Sequence, residues 1–152
     1  MIQIINKYLF QERGFRGNTD DYFNPDNSYL NRVLDRGLGI PISLSAVYLF
    51  VSRRLDLPIV GVGMPGHFLI AYPGEGRNLF LDPFNSGQIM TRKTCVQFLK
   101  EAGYGWREDF LDVCKDREIL ARMIRNMIAS YTSLGENKQA NQLSRYLQIL
   151  IS

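Results

Sequence analysis

Apolar side chains recur along this chain in several rhythms, and each rhythm predicts a different element. Residues 1–12 place Ile2, Ile5, Leu9 and Phe10 at helical spacing, and Gly14 ends the pattern. Residues 13–28 are rich in Gly, Asn, Asp and Pro, which build turns rather than regular structure. A short helix is predicted from Ser28 to Leu34, with Ser28 as its N-cap. A stronger helix is predicted to run into Leu55 from Pro41, whose missing N–H costs nothing in a first helical turn. That helix is apolar nearly all round (Ile42, Leu44, Ala46, Val47, Tyr48, Leu49, Phe50, Val51), the pattern of a central helix buried against a sheet.

The rhythm then shortens. Ile59 to Val62 reads as a strand, and two further apolar runs, Phe68 to Tyr72 and Leu79 to Leu81, flank the turn sequence Pro73-Gly74-Glu75-Gly76. Apolar runs joined by a tight Gly-rich turn form a β-hairpin. In a hairpin, the residue that starts one strand lies beside the residue that ends the other. His67, the only histidine, and Asp82 are therefore expected to be neighbours. A carboxylate in that place fixes an imidazole's tautomer and orientation. From Thr91 the spacing is helical again. A capped helix is predicted over Thr91 to Ala102, and a Gly-Tyr-Gly-Trp loop follows it. A long helix from Asp116 to Leu134 is stopped by Gly135, and a second runs from Lys138 to Ile151. The order of elements places a central helix against a small set of strands and closes the chain with a helix–Gly-turn–helix pair.

Composition narrows the function classes. The 152 residues fit one domain large enough to bury a real core. Hydrophobic content of 45% and charged content of 22% are those of an ordinary globular protein. The net charge is only +3, and Arg and Lys stand singly or in pairs (Arg53-Arg54, Arg92-Lys93). No basic run suits a phosphate backbone, so no nucleic-acid partner is expected. The longest apolar stretch, Ile40 to Val51, is broken by serines and too short to span a bilayer. Residues 1–7 carry neither a basic leader region nor a cleavage motif. Two cysteines, Cys95 and Cys114, make no disulfide framework, and one histidine gives no zinc spacing. No metal, cofactor or membrane contact is expected, and a reduced cytoplasmic location is the simplest reading.

Five stretches together resemble the SirB family of the transglutaminase-like superfamily. They are Phe10-Gln11-Glu12-Arg13-Gly14-Phe15-Arg16-Gly17-Asn18, Asn27-Ser28-Tyr29-Leu30-Asn31, Gly39-Ile40-Pro41-Ile42-Ser43-Leu44-Ser45, Pro65-Gly66-His67-Phe68-Leu69 and Leu81-Asp82-Pro83-Phe84. The resemblance implies an α+β fold: a papain-like core over residues 1–115, with the central helix buried against a small antiparallel sheet, and a tetratricopeptide-like helical hairpin over 116–152 packed on it. Members also carry a further N-terminal helical segment, so this protein reads as a short or trimmed member.

In active members of the superfamily, a cysteine sits in the first turn of the central helix, a histidine starts a strand and an aspartate ends the next. A helix N-terminus favours the thiolate, the histidine serves as base, and the aspartate orients it. The resemblance carries these roles to His67 and Asp82. The cysteine position, counted back from Leu55-Asp56-Leu57-Pro58, falls on Pro41.

Two classes of function follow. One is a catalytically silent transglutaminase-like fold that binds a peptide or protein partner, through the old cleft or the C-terminal helices. The other is a hydrolase or acyl transferase with Ser43 as nucleophile, His67 as base and Asp82 as orienter. A serine alkoxide is much harder to generate than a thiolate, and Cys95 and Cys114 read as incidental thiols. The missing thiol favours the silent fold.

Overall fold

A computed structural model describes residues 1–74 and 78–152. Residues 75–77, which include the end of the predicted Pro73–Gly76 turn, lie outside the described residues. The N-terminus forms helix α1 (Ile2–Asn6), which widens into a π-helical stretch over Lys7–Glu12. Two residues, Arg16–Gly17 (β1), then pair in parallel with Leu38–Gly39 (β2). Gly17 is required there, because a Cβ would meet the Phe84 ring at 2.4 Å. Helix α2 spans Leu30–Arg36 and ends on Gly37, whose φ of 68° is the left-handed cap that glycine adopts without strain.

Helix α2 starts two residues later than the sequence predicts, and Ser28 does not cap it. Asn24 accepts the Asp26 N–H and sets a 3-10 turn over Pro25–Asn27. Ser28 closes that turn in a helical conformation (φ −109°, ψ −24°). An N-cap needs extended backbone, which Tyr29 supplies instead. The Ser28 hydroxyl is left buried without a hydrogen-bond partner.

Helix α3 (Pro41–Arg54) is the centre of the molecule, with ten of its side chains buried. Strands β3 (Val60–Val62), β4 (Leu69–Tyr72), β5 (Leu79–Asp82), β6 (Gln88–Met90) and β7 (Val113–Cys114) form one sheet. Its order is β6-β5-β4-β3-β7, and every adjacent pair is antiparallel. Side chains alternate across a strand, and this sheet uses both faces. The paired Ile70 and Leu81 pack with Leu44, Val47 and Tyr48 in the α3 core. The neighbouring pair Ala71 and Phe80 faces the other way, against Cys95 and Leu99 of helix α4 (Arg92–Glu101). Thr91 caps α4 by accepting the Thr94 N–H, as its sequence predicts.

Helices α5 (Asp116–Ser133) and α6 (Asn137–Ile151) form the C-terminal hairpin. Helix α5 joins the main core through buried Ile119, and an Arg53–Asp116 ion pair links it to α3. Helix α6 packs along α5 and leaves Tyr146, Ile149 and Ile151 exposed.

Candidate functional site

His67 precedes β4 by two residues, and Asp82 is the last residue of β5. The β4–β5 register pairs Ile70 with Leu81 and so carries the start of one strand to the end of the other. His67 Nε2 and Asp82 Oδ2 lie 2.8 Å apart, and both side chains are buried. Asp82 also caps the 3-10 turn over Pro83–Asn85. Its Oδ1 accepts the N–H groups of Phe84 and Asn85, and its Oδ2 accepts the Asn85 amide at 2.7 Å. Burial pushes the Asp82 carboxyl up, but the bonds and charge of His67 and the bonds from Asn85 together outweigh it and hold the group below its ordinary value. A carboxylate accepts only, so Nε2 carries the hydrogen and a neutral ring keeps its lone pair on Nδ1. Phe84 and Phe98 pack on the ring, with centroids at 6.1 and 5.2 Å.

The N-terminus of α3 faces this pair. Pro41, Ile42, His67, Gly66, Phe68, Tyr22, Arg122 and Asn126 line a pocket of about 270 Å³. A larger cavity of about 770 Å³ lies between β5, β6 and residues 108–112 and holds none of the predicted site residues. Of these two, only the pocket at His67 contains a predicted site residue.

Ser43 is placed differently. It is fully buried, its hydroxyl donates to the Asn27 carbonyl at 2.6 Å, and it accepts the Ile40 N–H at 3.0 Å. No hydrogen bond joins it to His67 among the described residues. Ile40 has no side-chain acceptor, so Ser43 itself supplies the polar closure of the helix start. Ser43→Ala is expected to lower stability by about 1–3 kcal/mol, the range for stranding buried backbone groups. Equilibrium urea unfolding would measure that loss, with amide chemical shifts around His67 unchanged.

Three groups at the site escaped the sequence reading. Asn85 is a second partner of Asp82. Tyr22 reaches the pocket because buried Asn27 donates to the carbonyls of Asp21 and Tyr22 and folds that loop over α3. Arg122 of α5 donates to the carbonyls of Met64 and His67 at 2.6 and 2.7 Å and lies over the Phe68 ring. The signal for Arg122 was present: Ile119, Arg122, Asn126 and Ser130 recur at helical spacing, which places two polar side chains beside buried positions of α5.

Fold and site together define a mixed helix-and-sheet domain in which a buried His–Asp pair faces a helix N-terminus. Residues 1–125 match a family described as transglutaminase-like superfamily, and the protein belongs to it. It is 37% identical over 153 residues to a UPF0162 protein of Xylella fastidiosa, covering 96% of this chain and 54% of that protein. A UPF0162 protein of Pseudomonas aeruginosa is 33% identical over 127 residues, 82% of this chain and 46% of its own length. F-box only protein 21 of Mus musculus is 34% identical over 160 residues, 97% of this chain but 24% of that protein. The sequence thus spans about half the length of these bacterial relatives and about a quarter of the mouse protein. No solved structure matches it. Among the described residues, no cluster of metal-ligating side chains occurs and no helix is long and apolar enough to cross a membrane.

Proposed function

We propose that the protein is a transglutaminase-like module that works by binding rather than by covalent chemistry. It holds a peptide or protein partner in the cleft at His67 or along the α5–α6 hairpin. The observation that carries this reading is the residue in the first turn of α3. Pro41 stands beside His67 in the pocket where a thiol would be needed, and a pyrrolidine ring has no nucleophilic atom.

The bonds of Ser43 weigh against the alternative Ser43–His67–Asp82 hydrolase or acyl transferase. Cys95 and Cys114 offer no substitute: burial pushes the Cys95 thiol up to about 11 and raises that of Cys114 as well. The context of the relatives suits a module, because the matched stretch is a minor part of F-box only protein 21.

The finer features of the resemblance belong to the same proposal. These are SirB membership, a papain-like core over 1–115 and a tetratricopeptide-like hairpin over 116–152. They are supported by the His–Asp frame facing α3 and by the antiparallel packing of α5 with α6. Free thiols at Cys95 and Cys114 suit a reduced, cytoplasmic setting.

Labelling with serine-directed and thiol-directed acylating probes tests the reading. No His67-dependent adduct is expected. An adduct lost in His67→Ala, on a variant that still folds, would overturn it.

A further inference from the structure

Arg122 is a partly buried cation with no carboxylate partner among the described residues. Burial pushes its guanidinium below the ordinary value. An arginine nevertheless stays protonated in a protein. The groups that act on it are the Cys114 thiol, the Tyr22 and Tyr104 phenols and the like-charged Arg125. It forms no ion pair with a carboxylate among the described residues. Its backbone acceptors, the carbonyls of Met64 and His67, hold it in place but bring no negative charge.

The pocket beside it is rich in donors. Its other polar side chains are Tyr22, Asn126 and His67, and Asp82 lies behind the imidazole rather than in the lining. Neither the Tyr22 hydroxyl nor the Asn126 amide bonds to another described residue. The N–H of Ile42 belongs to the first turn of α3, where backbone donors have no intrahelical partner. At about 270 Å³ the pocket is smaller than the roughly 300–1,000 Å³ of sites that enclose whole small molecules. It suits the end of a ligand.

We propose that this pocket takes a carboxylate, with Arg122 as its counter-charge and the Ile42 N–H and Asn126 amide as further donors. The proposal rests on the cleft being a binding site and names the chemistry that it selects. The carboxylate can come from the C-terminus of a peptide or from a free small acid. A carboxamide would satisfy the lone pair of a neutral His67 but leave Arg122 without an opposite charge.

The test is a two-dimensional amide NMR titration of the 152-residue protein with N-acetylglycine, N-acetylglycinamide and sodium chloride at matched ionic strength. A tripeptide with a free C-terminus is compared with its C-terminal amide. N-Acetylglycine is expected to shift Ile42, Gly66, His67 and Arg122, and to bind about 10–100-fold more tightly than its amide, the range for a hydrogen bond to a charged group. A free-carboxylate tripeptide binding more tightly than N-acetylglycine points to a peptide terminus as the source, and equal binding points to a small acid. Because Arg122 braces residues 64–67, the decisive variant is Asn126→Asp. It puts a negative charge into the pocket, should weaken the acid by at least about tenfold, and should leave the unfolding midpoint in place. Equal binding of acid and amide at the cleft overturns the carboxylate proposal and keeps the binding module. Shifts shared with chloride, or none at the cleft, also overturn it. Failure of the binding reading itself is seen separately, in His67-dependent labelling.

Discussion

Asp82→Ala is expected to cost about 3–5 kcal/mol of unfolding free energy near neutral pH, the range for removing one member of a buried pair. The substitution leaves the His67 Nε2–H, the N–H groups of Phe84 and Asn85 and the Asn85 amide without their shared acceptor. Each stranded donor is buried or partly buried, so water replaces the carboxylate poorly. The loss has a pH signature. The folded carboxyl sits below its ordinary value, so the unfolded state binds more protons as pH falls past about 4. The contribution of Asp82 is fully present above that point and declines as pH drops through the folded value. Urea unfolding of both proteins between pH 3 and pH 7 should show a constant gap at the upper end that narrows at the acid end. A gap of the same size across the range would mean that Asp82 does not act as a buried carboxylate.

That pair was legible from sequence because a hairpin converts spacing into adjacency. Continuous apolar runs mark β4 and β5, and their antiparallel register delivers His67 to Asp82. Helices α3 to α6 were equally plain, since Pro41, Thr91 and Gly135 stand at their ends. Shorter pairings were not. Strand β7 is two residues in a mixed-charge segment, and nothing in Val113–Cys114 alone says that it will pair with Gly61 and Val62. The parallel β1–β2 contact is likewise set by what packs around it, with Gly17 lying under Phe84.

The same division holds at the site. Residues joined by one hairpin could be paired from the sequence. Arg122, 55 positions beyond His67, reaches the pocket only because α5 packs against α3. Ser43 shows the converse. Its place in the first turn of a helix suggested a reactive hydroxyl, whereas the partner that uses it, the Asn27 carbonyl, comes from a loop whose path no local pattern fixes.

Pro41→Cys carries the second large effect, and it asks whether the frame around the missing thiol is still active. A cysteine at this position would sit at the start of a 14-residue helix, in the same pocket as His67 and Arg122. The helix dipole, the guanidinium and the imidazole all favour a thiolate there. The midpoint of the pH profile for alkylation by iodoacetamide should fall by about 1–2 units from the ordinary cysteine value near 8.5, and should move back up when His67→Ala is added. The native thiols give a clean background, because Cys95 is fully buried and held at about 11 and Cys114 is raised by burial. A midpoint that stays near 8.5 would mean that the His–Asp pair braces the hairpin and does nothing more. A depressed midpoint would mean that the electrostatic frame of a nucleophile site survives around a residue suited to starting a helix. Proline at that position fixes φ for the first turn and costs no hydrogen bond. On that outcome the protein lacks the nucleophile, while the groups that would activate one remain in place around a pocket free to bind.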